Sequence, residues 1–479
     1  MKLENYNQFV NLIHNKSISF VGLGVSNLSV LKMLANSVPK ISKTSKITIR
    51  DKSDIKLIRQ KVENFSNIVD VNSIKFICGQ NYLSDIYEEI IFKSPGIPVN
   101  KLILPKDSIL TSEIELFHSL CPSPIIAVTG SDGKTTISTL INLLLKEYGI
   151  KTHLGGNIGV TLLDKLSEMS PEDQVILELS SFQLETMPNF KSQIAIVSNI
   201  TPNHLDYHKN FDEYIMCKRN IFVNQSSDDL LILNYDNEIT RKFADNSHAK
   251  IAFFSTENSE IDKLSEFENC CYLKNNSIFL RKDSCDIKIM NLSDIRIQGI
   301  HNVQNYMAAI LAVMNRISVT DLRPIQKIMS EFSGVEHRLE FVCEILGVKY
   351  YNDSIATSPT RAIAGINALT NTNKKNIVLI AGGYDKNIDL TEFAAVIAEK
   401  IKYVVLLGNT KDKIACELVK LGYTEFTLAD CLNSVIDIAR NKSKSGDIVL
   451  LSPGCASFDM FNDFSDRGNL FKKYLLEIN

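Results

Sequence analysis

The sequence predicts an α/β protein of three domains, with Rossmann-like domains at both ends, the C-terminal one doubly wound, and a central domain built on a phosphate-binding loop. Three observations support this prediction. A chain of 479 residues has room for about three domains of ~150 residues each. Short apolar runs alternate with segments of helical periodicity. Two of the apolar runs end in glycine turns. We place the domains at residues 1–112, 113–334 and 335–479.

Composition favours an ordinary soluble protein, because apolar residues make up 44% and charged residues 22% of the chain. A net charge of −3 provides no electrostatic basis for binding nucleic acid or an anionic membrane. Ten cysteines without a Cys-x-x-Cys pair indicate reduced thiols. Residues 1–6 are too polar for a signal peptide, and no apolar run approaches the ~20 residues of a membrane helix. We therefore expect a cytoplasmic protein. We also expect a monomer, which these observations do not bear on.

The first domain opens like a Rossmann unit. A strand from Ser17 to Val21 leads into Gly22-Leu23-Gly24, a helix from Ser26 to Ala35 with Ser26 as N-cap, and a strand from Lys46 to Arg50 that ends at Asp51. Asn27 stands where the third glycine of the dinucleotide fingerprint would be. The turn is therefore either a nucleotide or nucleotide-sugar contact or a plain tight turn. A strand follows near residues 90–100, then a helix from Thr111 to Leu120 and a proline-stiffened linker, residues 121–124.

The central domain begins with a strand, a glycine loop and a helix. The strand runs from Pro124 to Val128 and the helix from Ile137 to Tyr148. Between them lie Gly130, Ser131, Asp132, Gly133, Lys134, Thr135 and Thr136. The pattern Gly-x-x-Gly-Lys-Thr is two residues shorter than the common phosphate-binding loop. It predicts nucleoside triphosphate binding, with Lys134 on the terminal phosphates and Thr135 on Mg²⁺. The alternative is an ordinary turn with a solvated lysine.

Polar residues follow the next predicted strands, Gln174–Leu179 and Gln193–Asn199. Ligands bind beyond the carboxyl ends of such strands, so Glu178 and His204 are candidate Mg²⁺ ligands. Each has a structural alternative as a buried hydrogen-bonding group. The spacing of His204 and His208 also suggests zinc, but the intervening residues lack a glutamate and no third ligand is evident. Lys218, on a helix from Phe211 to Asn224, reads by periodicity as a surface residue.

The rest of the central domain is less regular. We predict a strand at Leu230–Leu233, a strand-poor polar stretch from Asp236 to Arg296 with some β structure near Ile251–Phe254, and helices at His301–Ile317 and Pro324–Phe332. Asn302 and Asn305 indicate either capping alone or capping plus a ligand contact such as an adenine edge. Arg338, in a hinge segment at 336–340, suits either a phosphate or a hinge salt bridge.

The third domain repeats the α/β alternation. We predict strands at Val348–Asn352, Asn376–Ala381, Tyr403–Leu407 and Asp447–Leu451. Helices are predicted at Pro359–Leu369, Leu390–Lys400, Thr410–Leu421 and Cys431–Asn441. Lys386, in a Gly-Gly-Tyr-Asp-Lys loop after a strand, is a cation suited to a carboxylate ligand.

The motifs together resemble those of the Mur ligases of peptidoglycan synthesis. The resemblance spans all three domains and rests on the short phosphate loop and four further segments. These are Ser94-Pro95-Gly96-Ile97, Glu178-Leu179-Ser180-Ser181-Phe182-Gln183-Leu184-Glu185, Asn352-Asp353-Ser354 with Ala356-Thr357, and residues 451–461 with Phe464, Arg467 and Gly468. Within the family, the Ser-Ser-Phe-Gln and Cys-Ala-Ser-Phe-Asp segments are similar to the branch that adds D-glutamate to UDP-N-acetylmuramoyl-L-alanine.

The resemblance implies ATP-dependent amide ligation through an acyl phosphate, with Mg²⁺ at two sites. Lys134, Glu178, His204 and Lys218 would be catalytic, with Thr135 and the last three as metal ligands and Lys218 carbamylated by CO₂. The nucleotide would contact residues 130–136, Asn305, Arg338 and Asp353. The UDP-sugar would contact Val25, Ser26, Asp51, Lys52, Ser94, Gly96 and Asn157. D-Glutamate would contact Thr357, Lys386, Ser457, Phe458 and Phe464.

Two departures from the family pattern bear on this expectation. Ile355 stands where the family usually has a lysine near the acceptor, and Asn203 where an acidic residue often precedes the metal-site histidine. The first keeps open a related ligase with another acceptor amino acid. Two further alternatives are an oxidoreductase built on Gly22-Leu23-Gly24 and a scaffold protein without strong catalysis.

Overall fold

A computed structural model describes residues 6–37, 46–64, 71–158, 161–204, 207–257, 267–282, 285–297, 299–370, 375–385 and 389–477. The chain divides into two compact units, residues 1–332 and 333–479. The predicted mixed α/β class is confirmed, because parallel strands dominate every sheet of the described residues. The division into three domains at 112 and 334 stays a prediction.

The first sheet of unit one is wholly parallel, in the order β3-β2-β1-β4-β5. Its strands are β1 Ser17–Val21, β2 Lys46–Asp51, β3 Lys75–Cys78, β4 Ile90–Lys93 and β5 Ile109–Thr111. Its helices are α1 Tyr6–Ile13, α2 Val25–Ser37 and α3 Ile55–Glu63. Helix α2 begins before Ser26, so the prediction of Ser26 as N-cap is wrong. The Gly24 carbonyl instead accepts from the Leu28 N–H at 3.0 Å.

The second sheet of unit one has the order β14-β13-β12-β11-β10-β9-β6-β8-β7. Its strands are β6 Ile125–Thr129, β7 Thr152–Gly156, β8 Gln174–Glu178, β9 Ile194–Val197, β10 Leu230–Asn234, β11 Lys250–Ser255, β12 Cys270–Lys274, β13 Ser277–Lys282 and β14 Cys285–Asn291. Strand β6 lies between β8 and β9 and runs parallel to both. The carboxyl ends of these three strands therefore meet at one edge of the sheet.

Seven α-helices accompany this sheet in the described part of unit one. They are α4 Glu113–Leu120, α5 Lys134–Glu147, α6 Ser181–Leu184, α7 Phe211–Arg219, α8 Glu238–Lys242, α9 Ile300–Arg316 and α10 Arg323–Glu331. The predicted starts of α4 and α5 and the predicted end of α7 are wrong. Thr111 belongs to β5, and Ser112 caps α4 by accepting from the Glu115 N–H. Helix α7 ends at Arg219 rather than Asn224.

The predicted β structure near Ile251–Phe254 is confirmed as β11, but the prediction that the rest of the segment from Asp236 to Arg296 is strand-poor is wrong, because β12 to β14 lie within it. Strands β12 and β13 form an antiparallel hairpin whose two-residue loop is Asn275-Asn276. Both asparagines have positive φ, 50° and 54°, as a type I′ turn requires. Asparagine tolerates this conformation, so the pair was a hairpin signal. Buried and exposed residues do not alternate regularly in β14, because most residues in its first half are exposed. These exposed residues make the sequence of the segment polar.

Unit two contains a six-stranded sheet in the order β15-β16-β20-β17-β18-β19, parallel except for the β15–β16 pair. Its strands are β15 Glu340–Ile345, β16 Val348–Asn352, β17 Ile377–Ala381, β18 Tyr403–Leu406, β19 Phe426–Leu428 and β20 Ile448–Leu451. Its helices are α11 Pro359–Leu369, α12 Thr391–Lys400, α13 Lys411–Lys420, α14 Leu432–Lys442 and α15 Phe464–Glu477. Alternate residues of β17 enter separate apolar clusters, so both faces of the sheet are covered.

The described helices also bear on membrane insertion. None of those in the ranges given above combines the length and apolar character that crossing a bilayer demands.

Candidate active site

The phosphate-binding loop joins β6 to the first turn of α5. Helix α5 begins at Lys134, earlier than the apolar periodicity predicts, so Lys134, Thr135 and Thr136 are first-turn residues. Gly133 is the N-cap, with φ of 80°. A Cβ atom at Gly133 would lie 2.2 Å from Asn305 Oδ1, so any other residue here would have to displace the Asn305 side chain. The loop thus brings a helix N-terminus, with its partial positive charge, to the end of β6.

Hydrogen bonds with residues at the end of β9 hold the phosphate-binding loop in place. The Asn199 carbonyl accepts from the Ser131 N–H at 2.8 Å, and Asn199 Oδ1 accepts from the Asp132 N–H at 3.0 Å. Ser198 Oγ donates to the Asp132 carbonyl at 2.5 Å. These bonds define the shape of the loop within the protein itself.

Two lysines donate hydrogen bonds to the same carbonyl oxygen, that of Gly130. The distances are 2.9 Å from Lys134 Nζ and 2.7 Å from Lys218 Nζ. Lys218 is only 2% exposed, so the surface position predicted from periodicity is wrong. Tyr214 and Cys217 share its buried face of α7 and could have signalled it. Burial, and then the Lys134 charge, hold the pKa of Lys218 well below its ordinary value.

Glu178 ends β8 beside the same loop and is 1% exposed. Asn157 donates to it twice, from Nδ2 to Oε1 at 2.8 Å and from its backbone N–H to the Glu178 carbonyl at 2.8 Å. Glu178 Oε2 is buried and has no hydrogen-bond partner in the described ranges. An unsatisfied buried carboxylate oxygen is costly, and a cation would offset that cost. The site therefore fits a divalent metal at this oxygen.

The two histidines of the zinc alternative have different surroundings. His204 is exposed, has φ of 55°, and lies with its ring centroid 4.8 Å from that of Phe182. His208 is buried, with Nε2 2.9 Å from Ser181 Oγ. Within the described ranges, no group of three or more His, Cys, Asp or Glu side chains is placed to hold a metal ion. The predicted Mg²⁺ set is compatible with this, since it includes Lys218 and Thr135.

A cavity of about 320 Å³ opens beside the loop within unit one. Its lining is Asp132, Gly133, Ser198, Asn199, Phe254, His301, Gln304 and Asn305. The N-cap of α9 is Gly299, and no side chain forms a capping hydrogen bond there. Capping therefore does not explain Asn302 and Asn305, the two asparagines in the first turns of this helix. Asn305 is buried against Gly133 instead. The cavity has room for the base of a nucleotide whose phosphates contact the loop.

The glycine turn of the first sheet is held by Asp51 and Asn27. Asp51 accepts from the Leu23 N–H at 2.6 Å, and Asn27 Nδ2 donates to the Gly22 carbonyl at 2.7 Å and the Phe92 carbonyl at 3.1 Å. Asn27 thus ties the turn to β4, a role that differs from that of a third glycine. Other predicted UDP-sugar residues lie around this turn: Val25, Lys52 and Gly96 are exposed, and Ser26 and Ser94 are half-buried.

In unit two, Asp353 directly follows β16. It accepts from Ser452 Oγ at 2.7 Å and from the Leu339 N–H at 3.2 Å. Burial raises the pKa of its carboxyl to about 6, against the lowering effects of these bonds and of the Arg338 and Arg361 charges. Arg338 and Asp353 are therefore near one another in this unit, as the predicted nucleotide contact requires.

The buried Arg467 joins two predicted acceptor segments of unit two. Its Nε donates to Ser354 Oγ at 2.9 Å, and its Nη1 donates to the Cys455 carbonyl at 3.2 Å. Ser354 Oγ donates in turn to the Phe464 carbonyl at 2.7 Å. Of the remaining predicted acceptor residues, Thr357 is half-buried, Ser457 buried and Phe458 exposed, whereas Lys386 lies outside the described residues.

Comparisons with known proteins identify the family. The family model described as Mur ligase middle domain matches residues 128–313, and the one described as Mur ligase, glutamate ligase domain matches residues 337–455. The chain belongs to the Mur ligase family. It is 42% identical to the UDP-N-acetylmuramoylalanine–D-glutamate ligase of Acetivibrio thermocellus, over 98% of both chains. It is 41% identical to those of Clostridium kluyveri and Clostridium acetobutylicum, again over 98% of both chains.

Sequence reasoning missed several residues of this Mur ligase site. Ser198 and Asn199 support the loop, and Gln304 lines the cavity while its amide nitrogen donates to Asp236 at 3.0 Å. For Ser198 and Asn199, the only sequence signal of a role at the loop was their position directly after the apolar residues of the predicted strand that forms β9. Strand order, which decides that β9 lies beside β6, had to be known first.

The first prediction concerns Gly133. We expect Gly133→Ala to weaken binding of an ATP analogue at least tenfold, because the new Cβ must displace Asn305 and the residue has left-handed φ. Isothermal titration would measure the dissociation constant. Gly149→Ala is the matched control, since Gly149 has φ of 78° at the other end of α5 but no atom within 4 Å of its Cβ position. Equal binding by the two variants would contradict the prediction.

Proposed function

We propose that this chain ligates D-glutamate to UDP-N-acetylmuramoyl-L-alanine with hydrolysis of ATP to ADP and phosphate, in the cytoplasmic synthesis of peptidoglycan precursors. The observation that carries the proposal is the meeting of Lys134, Lys218 and Glu178 at one phosphate-binding loop. Similarity to D-glutamate ligases along nearly the whole chain supports this choice of substrates.

The proposed reaction has two bond-forming steps. A carboxylate oxygen of the L-alanyl group attacks the γ-phosphorus of ATP, the bond to the β–γ bridging oxygen breaks, and ADP leaves. The D-glutamate nitrogen then attacks the carbonyl carbon of the acyl phosphate. The tetrahedral intermediate expels phosphate and the nitrogen loses a proton, which leaves the amide.

The roles of the residues follow from their positions. The helix N-terminus after Gly133 and the Lys134 ammonium would hold the terminal phosphates and stabilise charge during transfer. Glu178, His204, Thr135 and a carbamylated Lys218 would hold Mg²⁺, at two sites, and the metal would offset phosphate charge. Asn157, which orients Glu178, would lie near the reacting carboxylate.

The remaining site residues are assigned by domain. We propose a UDP-sugar domain at 1–112 that uses Val25, Ser26, Asp51, Lys52, Ser94 and Gly96. The ATP domain at 113–334 would bind through residues 130–136 and Asn305. The domain at 335–479 would contribute Arg338 and Asp353 to the nucleotide and Thr357, Lys386, Ser457, Phe458 and Phe464 to D-glutamate. We propose that the enzyme is a monomer.

Substrate dependence of phosphate release tests this function. With Mg²⁺ present, we expect release from ATP only when UDP-N-acetylmuramoyl-L-alanine and D-glutamate are both added, because each bond-forming step needs its own substrate. Lys134→Met is the matched inactive control, since it keeps the length of the side chain without its charge. ATP turnover without either substrate would refute the proposal, and NAD(P)H binding would favour the oxidoreductase instead.

Ile355 generates a prediction about the acceptor. The lysine usual in the family would place a cation near the acceptor, so we expect Ile355→Lys to lower the KM for D-glutamate about threefold. Ile355→Met is the control for side-chain length. Initial rates with D-glutamate, L-lysine and diaminopimelate would be measured for all three proteins. If the unaltered chain clearly prefers L-lysine or diaminopimelate, that amino acid and not D-glutamate is the acceptor.

Lys218 generates a prediction about carbamylation. Its lowered pKa leaves the amine neutral at pH values where an exposed lysine is charged, and only the neutral amine attacks CO₂. We expect ¹³C-bicarbonate to produce a carbamate signal in the NMR spectrum that Lys218→Ala lacks. Activity in CO₂-depleted buffer should fall and should return with bicarbonate. An identical spectrum for both proteins would contradict carbamylation.

A further inference from the structure

A partly buried hydrogen-bond network in unit one joins a buried lysine to a half-buried tyrosine and a half-buried glutamate, which the reaction described above does not use. Lys93 Nζ donates to Tyr207 Oη at 3.1 Å and to Glu185 Oε2 at 3.3 Å. Tyr207 Oη lies 2.8 Å from Glu185 Oε2. Since the Tyr207 oxygen accepts from Lys93, its single proton is available to the carboxylate. The three groups form a closed triangle that we call the Lys93 network.

The network also holds the Ser94–Ile97 loop. Lys93 Nζ donates its remaining hydrogen bond to the Ile97 carbonyl at 2.7 Å. Tyr207 Oη lies 3.1 Å from the Pro95 carbonyl and 3.2 Å from that of Ile97. The loop therefore folds over the lysine that precedes it, and its carbonyl groups are directed towards the network.

Each member comes from a segment that carries proposed site residues. Lys93 ends β4 and precedes Ser94 and Gly96. Glu185 caps the short helix α6, which follows Glu178. Tyr207 donates its backbone N–H to the His204 carbonyl at 3.1 Å. The network thus ties the loop after β4, in the first sheet, to the two segments of the second sheet that carry the proposed metal ligands Glu178 and His204.

Burial makes the three groups depend on one another. The Lys93 side chain is 0% and the Glu185 side chain 14% exposed. Burial lowers the pKa of Lys93, whereas the Glu185 charge acts in the opposite direction. An unpaired Lys93 charge at this depth would be destabilising, so the lysine depends on its carboxylate partner.

The aromatic ring of Phe182 extends the connection to His204. Its centroid lies 4.0 Å from that of Tyr207 and 4.8 Å from that of His204. A displacement of Tyr207 would therefore move the ring against which the His204 imidazole rests. Hydrogen bonds on one side of Tyr207 and ring contacts on the other fix its position between the two segments.

We propose that Lys93, Tyr207 and Glu185 are positioning residues, which hold the Ser94–Ile97 loop in register with the segments that carry Glu178 and His204. This inference rests on the proposed function, in which the loop contacts the UDP-sugar and the two side chains bind metal. The network would then set the distance between the bound sugar nucleotide and the phosphate-transfer site, without touching either substrate.

Tyr207→Phe is the decisive variant, because it removes one hydroxyl and keeps the ring that stacks on Phe182. We expect the KM for UDP-N-acetylmuramoyl-L-alanine and the Mg²⁺ concentration for half-maximal rate each to rise about tenfold. The KM values for ATP and D-glutamate should stay within about twofold. Steady-state phosphate release, with one component varied at a time, measures all four.

Tyr148→Phe is the matched control. The Tyr148 hydroxyl donates to the Asp321 carbonyl at 2.6 Å, and Tyr148 lies just after α5, at the end remote from Lys134. The Tyr148→Phe variant therefore loses a comparable hydrogen bond in another part of unit one. If the two variants give the same four constants, the Lys93 network is only structural and the proposal is wrong.

A second variant, Lys93→Met/Glu185→Gln, removes both charges together and leaves no unpaired ion. The same selective rise is expected, and circular dichroism would confirm folding. Equal changes in all four constants, or none in the folded protein, would overturn the inference. Failure of the proposed function is distinguishable, because it would appear in the unaltered protein as phosphate release that needs neither substrate.

Discussion

The site depends on one electrostatic constraint, that two lysines share the Gly130 carbonyl as hydrogen-bond acceptor. Two neighbouring cations repel each other, and the neutral oxygens of Gly130, Ser131 and Thr129 that accept their hydrogen bonds do not offset their charges. Three responses are available: an anion at the loop, the nearby Glu178 carboxylate, and loss of charge from Lys218. A triphosphate and a carbamate would supply the first and third, so this electrostatic constraint suits the proposed reaction.

Parallel strand order makes this constraint possible. Placing β6 between β8 and β9 brings the phosphate loop, Glu178 and the Ser198-Asn199 pair to one sheet edge. Helix α7 then lays Lys218 across the same edge. The first sheet is joined to this arrangement by a partly buried polar network as well as by apolar packing. Polar contacts of this kind are directional, so they define a position more sharply than apolar burial does.

Regular elements were predictable where periodicity was strong and uninterrupted. Strand β1 and helix α11 have the predicted bounds, because their apolar residues follow a single period and glycine, serine or proline marks their ends. The hairpin β12–β13 was missed because its turn is Asn-Asn rather than Asn-Gly. Ser26 failed as N-cap because the helix begins at Val25, directly after the glycine turn, and the Gly24 carbonyl accepts the first helical hydrogen bond.

By itself the sequence determined the α/β class, the phosphate loop, the candidate residues at strand ends and, through its motifs, the resemblance to the Mur ligases. Those properties depend on residues close together in the chain. Only the tertiary structure decided that Lys218 is buried against the loop, that Asn27 binds the β4 carbonyl of Phe92, and that Lys93 meets Tyr207 and Glu185. Such contacts join residues up to 114 positions apart, and their burial depends on which strands pair. Local periodicity carries no information about that pairing.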